Sequence, residues 1–431
     1  MAELAASARI KRVQRTALFL LILSGCINYV DRATLAVGLP LIRRDLGLSL
    51  TQSGYLLSAF LWTYAFSQLP AGALIDRLGA RFMLTAGLSL WSIAQLLGGL
   101  VGGFWQFIGA RVLLGMGESP QFPSCARVVT DWFHPRERGL ATGIWNCSAS
   151  LGTAVAAPLL TFLMLRLGWR WMFITMGLAG LVVALIVRSA HRDPGQVPLD
   201  HQEREYLAEQ YADASRVTWQ GWKSLFHFRT TWGMIAGYFG AMYVLWIYTA
   251  WLPQYLEIQL HLSVATTGWI ASIPFFFGVV GSLIAGRVCD VLLKHGFSPI
   301  ASRKIPTVAS LLGVAFFTLL ASLTSVTALA VACISISLFL LYGTACAAWS
   351  MASVVAPAYC TASISSIQNF FGYLGAALAP ITTGIIVAKT GSFHPALQVG
   401  ALIATVGAIV YVVLVRESVS PRSAPLSAKG G

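Results

Sequence analysis

Four ionisable residues stand where the sequence leaves little water to hold them. Asp31 and Arg32 interrupt INYVDRATLAVGLP, inside an otherwise apolar stretch from Thr16 to Ile42, and Arg111 and Glu118 interrupt GARVLLGMGESP in the same way. A charge at mid-bilayer costs roughly 2.5 to 3.5 kcal/mol on insertion scales, so the four should face one another or a watery cavity. Such a set suits one kind of chemistry. An arginine holds a carboxylate in its planar fork, and a neighbouring carboxyl changes its proton affinity when that arginine is engaged by an anion. Asp31 and Glu118 are the expected proton carriers, because no histidine lies deep in any apolar stretch. Arg32 and Arg111 are the expected anion anchors. The plainer alternative is a static salt-bridge network that fastens helices, for which buried ion pairs are poor devices beside apolar packing.

Arg111 and Glu118 sit at i and i+7, on one helix face and about 10 Å apart along the axis. Direct contact is out of reach, so water, a residue from another span or a substrate must lie between them. Pro120 lacks an amide hydrogen and frees the carbonyl of Met116, while Gly115 and Gly117 let backbones approach closely.

The elements that must position these residues are legible in the composition. The chain has 431 residues, 57% hydrophobic and 10% charged, with mean hydropathy +0.72. Soluble domains carry roughly 25% charged residues. Apolar blocks of about 20 residues, each able to cross about 30 Å of hydrocarbon, fall at 16–42, 52–75, 81–101, 104–130, 139–165, 169–188, 230–256, 265–293, 304–324, 326–354, 359–388 and 394–415. Backbone amides in lipid need internal partners, and no ten-residue alternation of a barrel is present, so the expected fold is an all-α integral membrane protein with twelve transmembrane helices.

The net charge of +13 is explained better by topology than by nucleic acid. Alternating the spans with the N-terminus inside leaves only Arg43, Arg44, Arg166, Arg170 and Lys389 outside, which places both termini in the cytoplasm. The seven cysteines are scattered and never form CxxC, so neither a zinc site nor a disulfide framework is expected. The basic, apolar N-terminus lacks a clear A-x-A exit and runs on into the charged pair, as an uncleaved first span would.

The one long polar stretch, 189–228, divides the chain into a six-span bundle over 1–188 and another over 229–431 with a polar tail. Within it EREYLAEQYA could form a short surface helix, and the plain expectation is a cytoplasmic linker without chemistry. The loop GALIDRLGAR (Gly72 to Arg81) recurs in the second half as GRVCDVLLKHG (Gly286 to Gly296), each opening G-x-x-x-D. Such repetition suggests two copies of a six-helix unit, parallel about an axis normal to the membrane.

Here the sequence resembles the major facilitator superfamily along essentially its whole length. The loop signature G-x-x-x-D-R-x-G-x-R matches Gly72, Asp76, Arg77, Gly79 and Arg81. By that resemblance Asp76 with Arg77, Arg81, Arg127, Asp131 and Arg138 would clamp the cytoplasmic ends of the two halves. Asp290 would be their counterpart in the second half, where Val291 replaces the arginine.

NYVDR, together with R-x6-E followed by SPQFP, is similar to the anion:cation symporter family, whose bacterial members are proton-driven importers of galactonate, glucarate and hexuronates, related to sialin and the vesicular glutamate transporters. The resemblance implies a small organic anion as substrate, protons as coupling ion with no other cofactor, a monomer, and a place in the bacterial inner membrane. It makes Arg32 or Arg111 the carboxylate anchor and Asp31 and Glu118 the proton sites. Tyr29, Tyr64, Trp349 and Asn369 match cavity-lining residues, and Asn146 is a substitute for a glutamine expected at Ala149. Cys346 and Ala348 stand where hydroxyls are expected beside Trp349. These departures leave room for keto acids or aromatic carboxylates.

The expected function is thus proton-coupled import of an organic anion, most simply a sugar acid, by alternating access. By the same resemblance an organophosphate exchanger would want an arginine in spans one and seven, and span seven has none in its interior. A membrane enzyme would need a nucleophile, metal cluster or His and Asp pair, and a channel would need rings of like charge. Neither set is found in the sequence. Tyr243, Trp246 and Tyr248 crowd span seven, where packing is the simpler role.

Overall fold

A computed structural model describes residues 6–133, 138–208, 219–356 and 358–419. All regular elements among them are helical. The first half comprises α1 (Ala8–Leu46), α2 (Leu50–Leu78), α3 (Ala80–Leu100), α4 (Phe104–Glu118), α5 (Gln121–Trp132), α6 (Arg138–Leu167) and α7 (Trp169–Ala190). Two short helices, α8 (His201–Ala208) and α9 (Trp219–Ser224), lie in the connecting stretch. The second half comprises α10 (Arg229–Ile258), α11 (Val264–Ile270), α12 (Ser272–Lys294), α13 (Pro299–Leu323), α14 (Thr327–Val355), α15 (Ala358–Thr390) and α16 (His394–Leu414).

Among the described residues, ten helical stretches are long and apolar enough to cross a membrane. Two expected spans are interrupted. The block expected at 104–130 is α4 and α5, parted at Ser119 and Pro120. Pro120 cannot donate to Met116, and the Ser119 hydroxyl takes up that carbonyl instead, at 2.9 Å. The block expected at 265–293 is likewise α11 and α12, parted at Ala271.

Helix ends follow local chemistry. Ser7 caps α1 by accepting from the Ile10 amide, and Ser49 with Gln52 forms a capping box on α2. Between them Gly47 takes φ 63°, the left-handed close that glycine permits without strain. Outward faces are apolar, with Trp105, Leu185, Trp269 and Leu283 each more than 60% exposed, as a lipid-facing surface requires. Inward faces use small residues so that helices approach closely. A Cβ on Gly54 of α2 would lie 2.6 Å from the Pro380 carbonyl oxygen of α15.

The two halves meet from mid-depth to the end opposite the chain termini. Arg44 pairs with Glu257 at 2.5 Å, Arg43 donates to Gln254, and the Ser58 hydroxyl donates to the Ala377 carbonyl. Deeper lie the ring contacts Tyr64 with Tyr373 and Phe66 with Phe370. One apolar core joins α1, α2, α6, α10 and α16 across the halves at this end.

The stretch expected as a linker over 189–228 is described in part. Its described first part docks under the first half, where Glu203, Tyr206 and Leu207 are buried. Glu203 accepts from Ser7 and Gln14 donates to Tyr206. The expected surface helix is therefore α8 with one face packed, because burying Tyr206 and Leu207 gains more than solvating them.

Candidate functional site

Successive residues on a helix point about 100° apart, so Asp31 and Arg32 cannot share a direction. Arg32 faces α4 and the second half. Its Nε donates to Glu118 Oε2 at 2.7 Å, with both side chains buried. Glu118 thus finds its partner on another span. The Arg32 guanidinium lies 4.7 Å from the Tyr64 ring centroid, 5.0 Å from Tyr29, 5.3 Å from Phe60 and 5.9 Å from Phe122. Aromatic faces attract a cation most when water is excluded. On the far side, Arg32 Nη1 reaches the Tyr373 hydroxyl of α15 at 3.5 Å.

Asp31 turns the other way, into α3, where the Trp91 indole donates to its Oδ2 at 3.2 Å. It is fully buried. Arg111 stacks over Phe60 at 5.1 Å, and its Nε and Nη1 have no partner among the described residues. Glu118 and Asp31 both attract it electrostatically. The four ionisable residues thus form one electrostatic group, and among the described residues only Arg32 of the four hydrogen-bonds to the second half.

Tight backbone seats fix this arrangement. A Cβ on Gly115 would meet the Phe60 carbonyl at 2.6 Å, and one on Gly117 would meet the Trp91 nitrogen at 2.5 Å. The glycines flanking Met116 therefore let α4 nest against both α2 and α3.

The other expected residues distribute unevenly. Tyr64 is buried at Arg32 and Tyr29 is half-buried there. Asn369 is half-buried on α15, one turn before Tyr373. Trp349 is 46% exposed and donates its indole N–H to Tyr238 at 3.2 Å. The Asn146 side chain lies outside the described residues. Ala348 is buried in a core cluster that includes Phe60 and Tyr64 of the first half. Tyr243 and Tyr248 bond to Thr382 and Thr318 inside their own half, while Trp246 crosses to Phe60 at 6.4 Å. Tyr373 was not singled out from sequence. In QNFFGYLG one aromatic looks like another, and only the junction of the halves distinguishes it.

Of the expected gate residues, the side chains of Arg81, Arg127, Asp131 and Asp290 are described. Arg127 and Asp131 pair at 2.8 Å along α5. Arg81 instead ties α3 to the end of α7 and the connecting stretch, donating to the Arg188 carbonyl and to Gln196. Its amide donates to Asp193 at 3.1 Å. Partial burial works against the Asp193 charge, but the His191 ring, 3.6 Å away, and the hydrogen bond from the Arg81 amide outweigh it and hold its pKa below the ordinary value. Asp290 is exposed, and the side chains of Asp76, Arg77 and Arg138 lie outside the described residues.

Comparison with known proteins agrees with this architecture. Residues 21–380 match the Major Facilitator Superfamily. A probable L-galactonate transporter of Escherichia coli K12 is 42% identical over 96% of this chain and 92% of its own. A D-galactonate transporter of Escherichia coli O6:H1 is 32% identical over 93% and 95%. A probable galactarate/D-glucarate transporter of Bacillus subtilis is 31% identical over 92% and 90%. Among solved structures, a bacterial homologue of the lysosomal transporter Spinster, in an inward-facing and occupied conformation, superimposes with TM-score 0.73 at 19% identity over 94% of this chain and 95% of its own. A D-xylose-proton symporter gives TM-score 0.73 at 14% identity over 94% and 99%.

Proposed function

Because the chain belongs to the Major Facilitator Superfamily, as a multi-pass membrane transporter and not an enzyme, we propose that it imports a sugar acid together with protons by alternating access. It resembles the anion:cation symporters in the names its relatives carry. The proposal takes α4 with α5 and α11 with α12 as single broken spans, giving twelve in two six-helix bundles with both termini cytoplasmic. The protein acts as a monomer, and protons are its coupling ion.

One observation carries this reading: the state of the Arg32 fork. Glu118 occupies only Nε. Nη2 has no partner among the described residues, and Nη1 faces Tyr373 of the second half. A carboxylate arriving between the halves finds a bidentate edge beside the Glu118 bond. Arg32 is therefore the primary anchor, and Arg111, behind Phe60, acts through its field. A single anchor at mid-depth suits a mono-acid, in keeping with the galactonate names of the two most similar relatives reported above.

Coupling follows from the same geometry. An anion on Arg32 weakens the hold of Arg32 on Glu118, which can then take a proton, so cargo and proton neutralise each other in a low-dielectric site. Each charge moved through the membrane potential is worth about 2.3 kcal/mol per 100 mV. One proton with one mono-anion draws on the pH gradient alone, and a second proton would add the voltage.

The test is uptake of labelled L-galactonate into proteoliposomes with an imposed pH gradient, beside D-galactonate, galactarate and D-glucarate. Accumulation above the equilibrium level that collapses with a protonophore supports symport. Downhill flux indifferent to the gradient, or no transport of any of the four, overturns the proposal.

A further inference from the structure

The two buried carboxyls lie on different helices and face different ways, yet one residue touches the surroundings of both. Trp91 of α3 is fully buried. Its indole donates to Asp31 Oδ2 at 3.2 Å, while the other Asp31 oxygen has no partner among the described residues. The backbone of the same tryptophan seats Gly117, where a Cβ would come within 2.5 Å of its nitrogen and 2.8 Å of its Cβ. One turn earlier, a Cβ on Gly87 would lie 2.7 Å from the Gly117 carbonyl oxygen and 2.9 Å from the Pro120 ring. Helix α3 is wedged against the break that aims Glu118.

We infer that Trp91 is a positioning residue for proton coupling, holding Asp31 by its indole N–H and relaying to it the engagement of Glu118 with Arg32. This rests on the proton role proposed above for the two carboxyls. An indole N–H can only donate, so it serves a carboxylate that accepts. A shift of the α4 end, when cargo changes the Arg32 bond, passes to α3 without slack because glycine leaves no side chain between them. The charged groups bearing on Asp31 are Glu118 and Arg111 of α4 and its neighbour Arg32 on α1. From α3 the contact is Trp91 itself.

The alternative is that Trp91 merely fills space, and Trp91→Phe separates the two because it keeps most of the ring and removes the donor. In proteoliposomes with labelled L-galactonate, W91F should lower pH-driven accumulation several-fold and move its half-maximal pH by about one unit. Exchange without a gradient should persist. Trp91→His, which restores a ring donor, should return the profile toward the wild type. A wild-type pH profile in W91F would overturn the proposal.

Should W91F fail to fold, the intact protein labelled with 15N-tryptophan answers the same question. One indole resonance must move with pH and with L-galactonate, and must stop moving with pH in D31N; if none does, the inference falls. Undiminished accumulation in D31N would instead strike the proton role of Asp31 itself. Loss in D31N with a normal W91F would strike Trp91 alone.

Discussion

Arg32 Nε and Glu118 Oε2 lie 2.7 Å apart, joining α1 to the broken end of α4 in a site that excludes water. Removing one partner of such a pair strands a buried charge, which costs about 3 to 5 kcal/mol. Arg32→Ala should therefore melt well below the wild type in detergent. Arg32→Met combined with Glu118→Met should recover much of that loss while transporting nothing. A single variant as stable as the wild type would show that the pair is solvated in the working protein.

Asp31→Asn and Glu118→Gln should separate binding from coupling. Each keeps its shape and loses a titratable proton, so pH-driven accumulation should vanish while exchange of L-galactonate survives in at least one. Undiminished accumulation in both would refute their role as proton carriers. Tyr373→Phe removes the hydroxyl facing Arg32 Nη1, and a weaker apparent affinity with an unchanged pH profile is the expected result, read from concentration-dependent uptake.

Closure at the end opposite the termini depends on backbone contact between α2 and α15. Gly54→Val would push a side chain into the Pro380 carbonyl, which a glycine meets at van der Waals range. The closed arrangement should lose population. In wild type a cysteine introduced at Ser58, which is 1% exposed, should resist a water-soluble maleimide, and in the Gly54→Val background it should react. Equal protection in both would show that this contact does not hold the halves together.

The docking of Asp193 against α3 should depend on pH. Its carboxylate has a folded-state pKa below the ordinary value, so its contribution is present above about pH 4 and is lost as pH falls through the lower folded value. Hydrogen exchange in residues 191–207 should therefore rise under acid once the intrinsic rate is corrected for. Asp193→Asn should exchange faster at neutral pH and lose that acid dependence. Gly79→Ala should do the same more severely, because Gly79 has φ 85° and a Cβ there would lie 2.5 Å from Asp193 Oδ2.

What was legible in the sequence was whatever lipid enforces. Blocks of apolar residues specify helices because no other backbone geometry satisfies its own amides, and Asp31, Arg32, Arg111 and Glu118 were conspicuous because hydrocarbon tolerates so few charges. The breaks at Ser119–Pro120 and Ala271 were only half visible. Proline marks the first, but that Ser119 would take over the Met116 carbonyl depends on a rotamer. The docking of the connecting stretch was not visible, because the apolar face of α8 is short and its partners lie far off in the chain at Ser7 and Gln14.

The sequence by itself determined that this is a helical membrane protein carrying two buried acids and two buried arginines in its first half. Only the tertiary structure decided their partners. Neighbours in the chain diverge by 100° on a helix, so Asp31 and Arg32 went to opposite tasks, one against Trp91 and one against Glu118 and Tyr373. Hydrophobicity has no direction, whereas a hydrogen bond needs an address, and addresses between distant helices exist only once the bundle has closed.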